Sequence, residues 1–291
     1  MTAKNPYRDA NTGDAAAEPA NARQMQSEGA PARVRRLVKS LRPVPAAAAL
    51  VFVVLLAASI FNAWDRPALP DFDAIADTAE RKQAFFEFLA PIMAAENGRV
   101  LEQRERLLDS AERLRAGEGL SWLDRRWLRR LATEYDVTWD PDAPLESLEL
   151  LERRVDAVPV PLALVQAATE SGWGRSRFAT EANNLFGHWC YAPGCGLVPE
   201  RRNSGAAHEV AAFDSVADSV ERYLRNLNTH AAYAPLRAIR ARMRRNGESP
   251  TAMALAEGLV RYSERHEEYV DEIKTGIRLN GPIIEEVRET L

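Results

Sequence analysis

Glu170 closes a stretch, Pro159-Val-Pro-Leu-Ala-Leu-Val-Gln-Ala-Ala-Thr-Glu-Ser-Gly-Trp-Gly174, whose residue types suit acid chemistry. Pro161 fits a first helical turn and Gly172 fits the residue past a helix end, so the spacing predicts a short helix from about Pro161 to Ser171. Leu162, Ala163, Leu164, Val165, Ala167 and Ala168 cover nearly all its sides, which places it in a core. Gln166, Thr169 and Glu170 are the exceptions, and their i, i+3, i+4 spacing puts them on one face. A carboxyl among Leu, Val and Ala ionises only at a desolvation cost, so its pKa rises and it can donate a proton near neutral pH. A general acid at a glycosidic bond requires that property. The structural alternative is a carboxylate bonded to nearby backbone amides or to Arg175. Metal chemistry has little to work with. His188, His208, His230 and His266 are scattered, and His266-Glu-Glu-Tyr-Val270 lacks the second histidine of a helical zinc site.

Further motifs follow the acid: Ser176-Arg-Phe-Ala, then Asn183-Asn-Leu-Phe-Gly187. Together with Gln166-Ala-Ala-Thr-Glu-Ser-Gly-Trp-Gly174 they closely resemble the motif set of glycoside hydrolase family 73, the peptidoglycan β-N-acetylglucosaminidases, and most of all its Bax-type membrane-associated members. The resemblance covers about residues 158–282, and the Bax-like part of it extends upstream from about residue 80. It implies a lysozyme-like fold, mainly α with a small β-lobe beside the cleft, and Glu170 as the catalytic acid. It also implies a second glutamate in the β-lobe, for which Glu200 in Val198-Pro-Glu-Arg-Arg is the nearest match. The usual Thr-Glu-Tyr-like context is absent there, so Glu209 and Asp214 compete for that role. Tyr262 corresponds to a cleft tyrosine, or else to a core one, and Asn183 and Asn184 form a turn beside the cleft that either binds glycan or fixes the chain before Leu185. Gln166, Trp173 and Phe186 complete the candidate substrate contacts. Trp173, Phe186, Trp189 and Tyr191 offer flat faces to sugar rings, with core closure as the alternative for such aromatics.

The implied activity is hydrolysis of the β-1,4 bond after N-acetylglucosamine in peptidoglycan glycan strands, with no metal or organic cofactor. Carboxyls about 6.5–9.5 Å apart would invert the anomeric centre and carboxyls about 5–5.5 Å apart would retain it; an N-acetyl sugar also permits substrate-assisted catalysis. Muramidase or lytic transglycosylase activity on the same fold is the enzymatic alternative, although the Gly-Leu-Met-Gln-type segment of transglycosylases is missing. A peptidoglycan-binding scaffold without turnover is the non-enzymatic one.

These residues need helices to hold them. Helical spacing over 72–135 includes Phe85, Phe88, Leu89, Ile92, Leu107, Trp127, Leu128 and Leu131, with Pro91 expected to kink or break the first helix. A helix is predicted over Leu145–Val155, and weak hairpin strands over 191–205. An N-cap is expected at Ser215, with helices near 251–262 and 264–279. The expected organisation is a disordered cytoplasmic tail (1–44), an anchor (45–64), a helical periplasmic region (65–157), the catalytic domain (158–282) and a C-terminal tail (283–291).

The chain has 291 residues, 46% hydrophobic and 27% charged, with a formal net charge of −4. That composition excludes disorder throughout, and there is no basic stripe for nucleic acid. Residues 1–44 carry eight Lys/Arg against four Asp/Glu, whereas 65–291 carry 30 against 38. Residues 45–64 have no charge. The run Ala46–Trp64 would be about 28 Å long as a helix, enough to span a bilayer once. Arg33, Arg35, Arg36, Lys39 and Arg42 precede it, so the expectation is one transmembrane helix in the inner membrane, the N-terminus cytoplasmic and the catalytic domain periplasmic. A cleaved signal peptide is the alternative. Cys190 and Cys195, the entire cysteine complement, would close a short disulfide loop in such an oxidising compartment.

Overall fold

The computed structural model describes residues 67–200 and 208–291. Helix α1, Thr78–Arg115, starts where the Asp77 carboxylate accepts hydrogen bonds from the Ala79 and Glu80 amides, which satisfies two donors a helix start leaves open. It buries Phe85, Phe86, Leu89, Met93, Val100 and Leu107. Pro91 does not break it, because Pro91 and Glu87, whose carbonyl loses its donor there, both lie on the exposed face. Helices α2 (Trp122–Glu134) and α3 (Pro144–Arg154) follow, then α4 (Val160–Ser171), which ends at Gly172 in a left-handed conformation. Eight residues of α4 are buried, as its apolar circumference requires. A short α5 (Arg177–Ala182), capped by the Ser176 hydroxyl, leads into the β-lobe.

That lobe is one antiparallel sheet in the order β1 (Trp189–Cys190), β3 (Glu209–Ala211), β2 (Gly196–Leu197). Trp189 pairs with Val210 and Leu197 with Val210 from the other side. A disulfide joins Cys190 to Cys195 across the β1–β2 connection, with Cα atoms 6.2 Å apart. Helix α6 (Val216–Thr229) begins at Ser215, whose hydroxyl accepts from the Asp218 amide, and buries Val220, Tyr223, Leu224 and Leu227. Helices α7 (Ala234–Arg245), α8 (Ala252–Ala256) and α9 (Glu267–Glu289) complete the chain. The core lies where α4 meets α1 and α9, with α6 against α1.

Three sequence expectations are revised here. Helix α7 is an addition, and α9 runs through Gly281 and Pro282 to Glu289 where a tail was expected, because Ile284 and Val287 are buried and hold the last turns to the core. The third revision concerns the membrane. Among the described residues no helix is long and apolar enough to cross one. The 45–64 run on which the anchor was placed, like the 1–44 tail, lies outside the described residues. The architecture is corrected to a mainly helical domain with a small three-stranded sheet, and the transmembrane helix, the membrane as partner and the single-pass inner-membrane placement are withdrawn with it.

Candidate active site

Glu170 sits on the last turn of α4, partly exposed, while Gln166 one turn earlier is fully buried. Burial pushes the Glu170 carboxyl above its ordinary range; a hydrogen bond from the Tyr269 hydroxyl and the charge of Arg265 oppose that rise, and Glu272 adds to it. Arg265 and Glu272 form an ion pair, 2.6 Å, at the surface beside the site. The structural alternative through Arg175 is not realised, since Arg175 pairs with Asp73.

The Asn183–Gly187 turn closes the site from the β-lobe side. A Cβ added at Gly187, where φ is +67°, would stand 3.8 Å from Glu170 Oε2, so this position keeps the space beside the acid open. The turn is held by its own asparagines. Asn184 Nδ2 donates to the carbonyls of His188 and Ala211 at 2.9 and 2.8 Å, and its Oδ1 accepts from the His188 amide at 3.0 Å. Asn183, at φ +52°, donates to the Phe213 carbonyl at 3.0 Å. The amides of both residues therefore build the turn, the second of the two alternatives the sequence leaves open.

Phe186 is buried and stacks on Tyr223, centroids 4.1 Å apart at 15°. Tyr262 lies partly buried, stacked on Tyr269 at 5.2 Å and 4°, with its hydroxyl donating to the Phe186 carbonyl at 3.2 Å. Trp173, at φ +64°, meets Phe85 and Phe86 edge-on at 5.8 and 5.4 Å, and so ties the end of α4 to α1. Gln166 is held between two tyrosines, its Nε2 donating to the Tyr269 hydroxyl at 3.0 Å and its Oε1 accepting from Tyr223 at 2.7 Å. Of the candidate substrate contacts, then, Gln166 and Asn184 lie behind the site surface and Trp173 and Phe186 are engaged in packing.

The two β-lobe glutamates differ. The Glu200 side chain is 84% exposed and lies 3.6 Å from Arg177. Glu209 is buried, and its two carboxylate oxygens accept from the Gly194 and Gly196 amides at 3.0 and 2.9 Å, which fixes the disulfide-closed loop. Cys190, Cys195 and Glu209 converge, but with the two sulfurs bonded to each other and the carboxylate on backbone amides, the trio is a poor metal set. Trp189 stacks on His208 at 4.2 Å and, like Tyr191, is exposed. Tyr269 and Tyr223 are the site residues that sequence reasoning did not single out. Each falls on a buried apolar stripe, and a buried tyrosine hydroxyl ordinarily has a partner, the signal that would have pointed to them.

The sequence matches the model of the glucosaminidase family, described as mannosyl-glycoprotein endo-β-N-acetylglucosaminidase, over residues 146–280. It is also similar to Protein bax of Escherichia coli (strain K12), with 32% identity over 208 residues, 72% of this chain and 73% of that protein. No solved structure matches.

Proposed function

The chain belongs to the family 73 glucosaminidases and is a glycoside hydrolase, and from that premise we propose that it cleaves the β-1,4 bond after N-acetylglucosamine in peptidoglycan glycan strands, with Glu170 as proton donor. The observation that carries this reading is the setting of Glu170, a carboxyl raised by burial at a helix end yet open to the surface beside Gly187. In the reaction its proton goes to the glycosidic oxygen as the C1–O bond breaks, the bonding electrons leave with that oxygen, and the oxygen of a water bonds to C1 while one of that water's protons passes to a carboxylate base. The Glu170 carboxylate that remains receives the Tyr269 hydroxyl and faces the Arg265 charge, which offset the cost of a buried anion.

Glu200 is the proposed second carboxylate, acting as base or as electrostatic stabiliser. Its exposure supports the role, whereas Glu209 is engaged by two backbone amides. Tyr262 and the exposed rings of Trp189 and Tyr191 are proposed to face the glycan.

Digestion of purified peptidoglycan by the full chain, followed by borohydride reduction and mass spectrometry, tests the bond that is cut. Reduced N-acetylglucosamine ends are expected. Reduced N-acetylmuramic acid ends would make the protein a muramidase, anhydro ends a transglycosylase, and intact strands with retained binding a scaffold.

A further inference from the structure

We propose that Gln166 is a positioning residue: held between the Tyr223 and Tyr269 hydroxyls, its amide fixes the direction of their hydrogen bonds and so turns the Tyr269 proton toward Glu170, one turn along the same helix face. The argument rests on the asymmetry of a carboxamide, whose oxygen only accepts and whose nitrogen only donates. Tyr223 donates to Gln166 Oε1 at 2.7 Å, which turns Nε2 toward Tyr269, 3.0 Å away. The Tyr269 oxygen thereby accepts, and its single proton is left for Glu170, one turn along α4 from Gln166 and the carboxyl whose charge that hydroxyl favours. With the amide reversed, its oxygen would take the Tyr269 proton and leave only lone pairs facing an ionised Glu170.

Each member is held by neighbours from a different element. Tyr223 of α6 is fully buried and stacked on Phe186, and Tyr269 of α9 is stacked on Tyr262, whose hydroxyl is tied to the Phe186 carbonyl. Gln166 is fully buried on α4, so water does not compete for its amide. The chain thus spans three helices and approaches Glu170 from the buried side of α4. The other groups that feel Glu170 are Arg265 and Glu272, exposed and paired with each other, and the rings of Tyr233 and Tyr262. None of these touches Gln166 in the chain just traced. The chemical consequence is a carboxylate stabilised after it has given up its proton, so that one group serves both as a raised-pKa acid and as a tolerated buried anion.

The inference rests on the glucosaminidase reading for its catalytic meaning, but its test does not depend on turnover. The Glu170 carboxyl is titrated by carbon-13 NMR in the full chain, its resonance assigned with Glu170→Gln, in wild type and in Tyr223→Phe, Gln166→Met and Tyr269→Phe. Tyr269→Phe is expected to raise the Glu170 pKa by about one unit, the scale of one hydrogen bond to a carboxylate. Tyr223→Phe and Gln166→Met raise it by less, and neither adds anything in the Tyr269→Phe background, because both act through that hydroxyl. Tyr223→Phe removes a single oxygen that does not touch Glu170, so a residue with a merely structural role there would lower stability without moving the titration. Folded Tyr223→Phe and Gln166→Met proteins that titrate within about 0.2 unit of wild type, or shifts that add to that of Tyr269→Phe, overturn the proposal. A coupled titration in a protein that cuts no glycan would sink the glucosaminidase reading and leave the chain standing; cleavage with uncoupled titration would do the reverse.

Discussion

Asp156, in the connection between α3 and α4, is the residue whose loss should do most damage away from the site. Its carboxylate is 2% exposed and meets three arginines: Arg244 at 2.8 Å, Arg240 at 3.7 Å and Arg104 at 3.7 Å, from α7 and α1. Burial pushes the Asp156 carboxyl up, but those three guanidinium groups together outweigh it and hold it below its ordinary value. Arg240 is itself 1% exposed, and its remaining partners are the carbonyls of Asp156, Ala157, Arg153 and Arg154 and the Asn228 side chain. Asp156→Asn keeps the shape and removes the charge, which leaves a buried guanidinium and two flanking ones without a counter-ion. Breaking a buried pair from one side costs about 3–5 kcal/mol, and the carbonyls that still solvate Arg240 favour the lower end. About 3 kcal/mol corresponds to roughly 6–12 °C in Tm for a fold of this size. Urea denaturation at neutral pH measures it directly. The sign with pH is also fixed. A depressed carboxyl contributes stability above its unfolded pKa and loses it as pH falls through the folded one, so the gap between wild type and variant must shrink below 3.8. A variant within about 1 kcal/mol of wild type at neutral pH, or a gap unchanged in acid, would refute the reasoning.

Further outcomes follow from the same geometry. Gly174→Ala puts a Cβ 2.6 Å from Phe72 Cδ2 at a φ of +75°, so it should cost on the order of 2 kcal/mol, read as a lower Tm with the glycan products unchanged. His188 lies between the Phe186 and Phe213 rings, and burial, followed by the charge of Arg222, lowers its pKa to about 4 from 6.5. Between those values the unfolded chain binds a proton the folded one refuses, so stability falls by up to about 3 kcal/mol as pH drops through that window; His188→Phe should flatten the slope, and an unchanged slope would contradict this. With Cys190 and Cys195 joined, a thiol reagent should label the denatured protein only after reduction, and labelling without reductant would disprove the bridge.

The helix that carries Glu170 and the turn beside it were legible because they are local. Glu170 reads as the polar end of an apolar helix within twelve residues, and that helix is found at Val160–Ser171. The hydroxyl chain behind it was not, because it joins Gln166 to residues 57 and 103 positions away, and nothing in local spacing tells which buried tyrosine meets which amide. Helix α7 escaped for a different reason. Periodicity looks for apolar residues on the inner face, but here Arg237 and Arg240 point inward, the first onto the Leu227 and His230 carbonyls and the second onto the α3–α4 connection. The helix expected near 264–279 runs on through Gly281 and Pro282 to Glu289, because Ile284 and Val287 are buried. Asn183 and Asn184 left two roles open, since an amide suits a sugar or a backbone equally; only the partners decide.

The central claim is that Glu170 supplies the proton that breaks a peptidoglycan glycosidic bond. The release of soluble fragments from purified peptidoglycan by the wild-type full chain and by Glu170→Gln, matched for folded protein by their melting curves, tests it most directly. The variant keeps shape and hydrogen-bonding capacity but has no proton to give, so its rate should fall by at least about 100-fold while peptidoglycan binding persists. A well-folded Glu170→Gln protein that releases fragments at the wild-type rate would contradict the account.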